Sequence, residues 1–151
     1  MDPQEQIPLS LRAAYLTLHR QSDAAFAAYG VTADQFVLMA RLAEDGAMTQ
    51  KELADRMPSD PSTVRAMLVL LEERGLVRRK PHPTDRRARM AELTQAGRRK
   101  FDQLWKAGDS IRTQAVSQMS SDDAWTLVRL LNQFAESLDP NSVVAEAVTE
   151  G

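Results

Sequence analysis

Apolar residues along this chain recur mostly at helical spacing. Between Leu9 and about Tyr29, the positions Leu11, Tyr15, Leu18, Ala25 and Tyr29 step by four, three, seven and four. That pattern predicts one face of a helix of about five turns. Gly30 supplies its stop, while residues 1–8, with Pro3 and Pro8 bracketing polar side chains, are expected to form a loose arm. Thr32 opens T-A-D-Q, a capping box with Gln35. Phe36, Met39 (or Ala40) and Leu42 (or Ala43) carry a second helix to Asp45-Gly46.

Two short helices follow. Thr49 opens a second capping box, T-Q-K-E, with Leu53, Ala54 and Met57 on the buried side. Pro58 ends that helix, because the residue before a proline avoids helical geometry. Asp60-Pro61 then reads as an N-cap and a proline at the first helical position, with Val64, Leu68 and Leu71 at spacings of four and three and Gly75 as the stop. Helices over 49–57 and 61–74 joined by so short a turn are a helix-turn-helix pattern. A strand over Leu76–Lys80, a turn over 81–85 and a strand over Arg89–Leu93 add a β-hairpin, and Thr94 caps another helix. Phe101, Leu104, Gly108, Ile111 and Ala115 form an a/d seam. Ser121 (or Ser120) caps a last helix with Trp125, Val128, Leu131, Ala135 and Leu138 on one face. Leu127, Leu130 and Phe134 widen that stripe beyond what one core-facing side needs, and residues 139–151 are expected to fray.

The expected fold is therefore mainly α with a small β-hairpin, a winged helix-turn-helix flanked by N- and C-terminal dimerisation helices. The division runs 1–30 (arm and dimerisation helix), 31–95 (winged unit), 96–140 (dimerisation helices) and 141–151 (tail). Charge sharpens this division. The net charge is −2, yet Thr49–Lys100 holds 13 Lys/Arg against 7 Asp/Glu, leaving +6, and the remainder holds 6 against 14, leaving −8. A basic working surface on an acidic scaffold suits a nucleic-acid partner, and chance clustering on a solvated face is the alternative that charge alone leaves open. The absence of cysteine excludes disulfides and thiolate sites, two histidines, His19 and His82, argue against a His-rich metal site, and no metal or cofactor is expected. No signal peptide or membrane-length apolar run is read, so a soluble cytoplasmic protein with no membrane partner is expected.

The second helix of such a pair fits the DNA major groove with its first turns nearest the base edges. The candidates there are Ser59, Asp60, Ser62, Thr63 and Arg65, the last suited to a bidentate contact with guanine. At the wing, Arg86 is the first candidate for insertion into a narrow minor groove, with Arg87 and Arg89 contacting phosphate or bracing the hairpin. Thr49, Lys51, Arg78, Arg79 and Lys80 are candidates for phosphate contacts, which fix register.

The stretches T-Q-K-E-L-A-D-R-M, S-T-V-R-A-M-L-V-L-L-E-E-R-G-L-V-R-R and D-R-R-A-R-M-A-E-L-T-Q-A-G resemble the multiple antibiotic resistance regulator (MarR) family, over about residues 9–138. The most specific part is L-E-E-R-G-L-V-x-R followed by a D-x-R wing and L-T-x-x-G, here Asp85, Arg87, Leu93, Thr94 and Gly97. The resemblance implies a homodimer with interlocked terminal helices and two recognition helices in successive major grooves of a pseudo-palindromic operator. It also implies a repressor released by a small anionic, often aromatic, effector lodged between the dimer helices and the DNA-reading lobe. Candidate pocket residues are Arg12, Tyr15, His19, Phe36 and Met39, although a lone His and a Met on an apolar face are more often structural. The chain departs from the family where an Asp-Arg pair usually stands: it has Val69 and Leu70. Arg87 thereby lacks its usual partner and must turn to Asp85, the backbone or DNA. The missing acidic residue argues against a urate-type response, and the missing cysteine against peroxide sensing.

An enzyme would need a nucleophile with a base, paired carboxylates or a phosphate-binding loop. The six glycines are isolated and mostly at helix ends, and no catalytic residue is expected. The rival is a winged-helix protein-interaction module without DNA binding.

Overall fold

The computed structural model describes residues 1–142. Its order is α1 (Pro3–Phe26), a 3₁₀ turn (Ala27–Tyr29), α2 (Ala33–Asp45), β1 (Met48–Thr49), α3 (Gln50–Arg56), α4 (Pro61–Glu73), β2 (Val77–Pro81), β3 (Arg89–Leu93), α5 (Gln95–Ala107), α6 (Asp109–Ala115) and α7 (Ser121–Leu138). The strands form one antiparallel sheet ordered β1-β3-β2. In it Met48 pairs with Ala91, and Val77, Arg79 and Pro81 pair with Leu93, Ala91 and Arg89.

Most helix starts follow their caps. Thr32 with Gln35 and Thr49 with Glu52 form reciprocal capping boxes, Asp60 caps α4 ahead of Pro61, and Ser120 rather than Ser121 caps α7. The loose arm expected over residues 1–8 is instead helix. Asp2 and Glu5 build a third box, with Pro3 at the first helical position, where no backbone N–H is required. The expected single helix over 101–115 breaks at Gly108, the weakest helix former along it. A short strand, β1, was also not expected. Two residues are too few to show alternation, and β1 exists only through its pairing with β3. Of the expected tail, residues 143–151 lie outside the described residues.

The core gathers Phe26 of α1, Leu38, Met39 and Leu42 of α2, Leu53 of α3, Val64, Leu68 and Leu71 of α4, Val77 and Ala91 of the sheet, and Leu104 of α5. At the junction of α4 with the hairpin, Gly75 takes a left-handed φ of 71° that a side chain disfavours. The Arg74 guanidinium donates to the carbonyls of Gly30 and Tyr29, anchoring the end of α4 to the α1–α2 corner. Thr94 works twice, donating its hydroxyl to the Gly75 carbonyl at 2.6 Å and accepting from the Gly97 N–H at 3.0 Å.

Gly97 is the tight point of this corner. A Cβ there would lie 1.9 Å from the Leu76 carbonyl oxygen, which already accepts from the Thr94 N–H at 3.1 Å. The L-T-x-x-G stretch is thus a clamp that seats α5 on the root of the wing. Gly97→Ala is expected to force the two backbones apart and destabilise the fold by roughly 1–3 kcal/mol, the usual cost of overpacking. Urea denaturation measures it, and an unchanged midpoint would show that this corner yields freely.

Candidate nucleic-acid interface

Burial of Val64, Met67, Leu68 and Leu71 turns the other side of α4 outward, so that Ser62, Thr63, Arg65, Ala66, Val69 and Leu70 are exposed. At its start Asp60 and Thr63 bond each other. Thr63 donates its backbone N–H to Oδ1 at 2.9 Å and its hydroxyl to Oδ2 at 2.7 Å. These bonds, the hydroxyl first and the backbone next, hold the Asp60 carboxyl below its ordinary range. Of the five leading residues, Ser59, Ser62 and Arg65 therefore keep their polar groups uncommitted among the described residues, while Asp60 and Thr63 are occupied in starting the helix.

The turn is braced by a residue that the sequence pattern did not single out. Gln50 donates its amide to the Pro61 carbonyl at 3.1 Å, tying the start of α3 to the start of α4. Beside it, Thr49 accepts from the Glu52 N–H, with the hydroxyl proton left to donate, and Lys51 is exposed with no ion pair among the described residues.

The hairpin divides its basic residues into two sets. On β2, Arg78 and Lys80 reach Glu92 at 2.6 and 3.1 Å, and Arg79 reaches Glu72 of α4 at 3.2 Å. Lys80 first, then Arg78, holds the Glu92 carboxyl below its ordinary range. Arg86, Arg87 and Arg89 are exposed and make no ion pair or side-chain hydrogen bond among the described residues. The loop carrying two of them is nonetheless ordered from within. His82 Nδ1 accepts the N–H groups of Asp85 at 3.0 Å and Thr84 at 3.2 Å, and Asp85 accepts the Arg87 N–H at 2.9 Å. With Val69 at the usual acidic position, the backbone of Arg87, not its guanidinium, finds Asp85. His82 was also missed, since its backbone bonds depend on the loop conformation and follow no periodicity.

The candidate pocket residues separate. Tyr15, His19 and Phe36 line a cavity of about 250 Å³ between α1, α2 and the α5–α6 bend, together with Trp105 and Arg112. Met39 is fully buried in the core instead, and Arg12 is exposed and does not line the cavity. The helical face held both residue sets, and only packing distinguished them. Arg112 stacks on Trp105 at 3.9 Å and pairs with Asp109 at 3.5 Å. His19 lies 3.2 Å from Asp23 and 4.0 Å from Asp34. Burial, then Asp34 and Asp23, raises the Tyr15 phenol above its ordinary range.

A second feature lies away from the wing. α7 buries none of its 18 residues, and Trp125, Leu127, Leu130 and Leu131 are among its exposed apolar side chains. Ile7 and Leu11 of α1 share an apolar groove of about 600 Å³ with Leu127, Leu131 and Phe134 of α7. Among the described residues, no helix is long and apolar enough to cross a membrane.

Comparison with known proteins agrees with this geometry. The MarR family model matches residues 31–88. The repressor MdtR of Bacillus subtilis is 26% identical over 133 residues, covering 88% of this chain and 86% of its own. The repressor NicR of Pseudomonas putida is 28% identical over 107 residues, covering 71% and 68%. A variant of MarR from E. coli, solved in complex with operator DNA, superposes with a TM-score of 0.76 at 25% identity, covering 89% of this chain and 99% of that one.

Thr63→Val tests the cap. Without the hydroxyl, the Asp60 carboxyl should titrate nearer its ordinary range when followed by NMR, and an unmoved titration would refute the assignment. Because the folded carboxyl is lowered, its stabilisation is complete above the unfolded carboxylate range and is lost as pH falls through the lowered value. Wild type and Thr63→Val should accordingly differ in stability near neutral pH and converge in acid.

Proposed function

We propose that this chain, which belongs to the MarR family, acts in the cytoplasm as a homodimeric repressor that binds a pseudo-palindromic DNA operator and is released by a small ligand. The carrying observation is the set of exposed guanidinium groups of Arg65 on α4 and Arg86, Arg87 and Arg89 at the wing, unpaired among the described residues. Left without an internal partner, each keeps its full charge for phosphate or a groove. In this proposal Ser59, Ser62 and Arg65 face the major groove and Arg86 enters the minor groove. Lys51, Thr49 and the β2 cations contact phosphate. Ion pairs open to solvent on at least one side contribute little, about 0–1 kcal/mol when fully exposed. Each of these has one exposed partner, so Arg78, Arg79 and Lys80 can exchange their carboxylates for phosphate at modest cost. The unit over 31–95 reads DNA, and 1–30 with 96–140 joins the protomers.

The names of MdtR and NicR support the repressor role. The exposed apolar face of α7 and its groove with α1 support dimerisation, because a patch of this size is unfavourable in water. The 250 Å³ cavity supports a one-ring effector: it exceeds the roughly 150 Å³ that holds benzene and falls below the ~300–1,000 Å³ of drug-sized sites. Arg112, already close to Trp105, is the cation nearest to hand for an anionic ring.

Salt dependence tests DNA binding most directly, since counterion release makes affinity fall steeply as ionic strength rises. Arg86→Ala should weaken binding to the protein's own upstream DNA roughly tenfold and flatten the salt slope by about one per protomer. Glu92→Gln, which releases Arg78 and Lys80, should tighten binding and steepen the slope. Absence of binding at about 50 mM salt, where electrostatic affinity is strong, would favour the protein-interaction module instead. For the assembly, sedimentation at micromolar concentration should give a dimer that Leu131→Glu converts to monomer. A monomeric wild type would rule out the interlocked arrangement.

A further inference from the structure

The outward face of α4 is only partly polar. Ser62, Arg65, Ala66 and Val69 are all exposed, and at 3.6 residues per turn they fall within about 100° of one another around the helix. From Ser62 to Val69 the helix rises by about 10.5 Å, close to three base-pair steps of ~3.4 Å. Val69 is 44% exposed, while Leu68 on its flank and Leu71 nearly opposite are buried. A β-branched side chain held in water on a helix gains nothing from propensity and little from burial. Leu70 is also exposed, at 49%, but it lies about 100° from Val69 and about 40° beyond Ala66, on the Thr63 flank outside the stripe.

The major groove offers one apolar feature to such a stripe. Thymine carries a 5-methyl group on the groove floor, and no other base edge does. We infer that Ala66 and Val69 read thymine 5-methyl groups beside the base contacted by Arg65, so that the half-site combines a guanine with neighbouring thymines. This rests on the proposal that α4 enters the major groove. The replacement of a charged pair by Val69 and Leu70 then has a consequence at the operator: the position contributes apolar contact with a base and no longer braces the wing. A carboxylate there would meet only the O4 acceptor and the methyl of thymine, and would be repelled by both groove and phosphates.

The experiment uses the full chain and duplexes it selects from a random-sequence pool. Each thymine of the preferred site is replaced singly by deoxyuridine, which lacks only the methyl group, and affinity is read by fluorescence anisotropy. One or two positions per half-site should weaken binding about fourfold each, the equivalent of ~0.8 kcal/mol for one buried methyl-sized group. Val69→Ala, an exposed substitution that favours helix, should erase the penalty at one of those positions and leave the others. Leu70→Ala should leave the whole pattern in place. Equal binding of thymine and uracil duplexes, or a penalty that survives unchanged in Val69→Ala, would overturn the inference while DNA binding itself stands. A chain that selects no duplex at any salt concentration would remove the DNA proposal and this inference with it.

Discussion

The rotation of α4 about its own axis governs nearly everything the outer surface can do. Val64, Leu68 and Leu71 are fully buried, packed with Leu38, Met39, Leu53 and Leu104 from the surrounding helices. Turning the helix by one residue would rotate it about 100° and bring charged or hydroxyl side chains into that core, at the cost of unpaired buried polar groups. The apolar contact therefore fixes, without any contribution from the outer residues, that Ser62, Arg65, Ala66 and Val69 point away. Arg74, bonded to the carbonyls of Gly30 and Tyr29, then stops the helix from sliding along its axis.

From that fixed helix the hairpin takes its position. Thr94 and Gly97 seat α5 against the Leu76 carbonyl, and Arg79 reaches back to Glu72 on α4. The basic residues nearest the sheet are thus engaged in holding the wing, while those at its end carry uncompensated charge. One carboxylate, Glu92, serves both Arg78 and Lys80. The hairpin stays compact without neutralising its tip, where His82 and Asp85 order the loop through backbone N–H groups and leave the arginines alone.

The helices outside the winged unit meet a different constraint. α7 has a broad apolar face of which no side chain is buried among the described residues, whereas the face of α1 is shared between the core at Phe26, the cavity at Tyr15 and His19, and the groove at Ile7 and Leu11. The same helix also meets the start of α2, where Asp23 accepts the Ala33 N–H at 2.6 Å.

Residue order alone determined the helix starts, since a cap is a local contract between a side chain and an N–H three residues on: Thr32, Thr49 and Asp60 were each legible in this way. It determined the periodic buried faces and the basic hairpin for the same reason. Short-range signals also misled where two of them competed, as at Pro3 and Pro8, whose turn-forming tendency gave way to the Asp2–Glu5 box and helix. The tertiary structure decided what depends on partners distant in sequence. These include the strand at Met48–Thr49, the ion pairs of β2, the brace from Gln50 to Pro61, and the separation of Met39 into the core from Tyr15 and Phe36 at the cavity. Periodicity can say that a residue lies on a face, but which neighbour meets that face is fixed only when the helices pack.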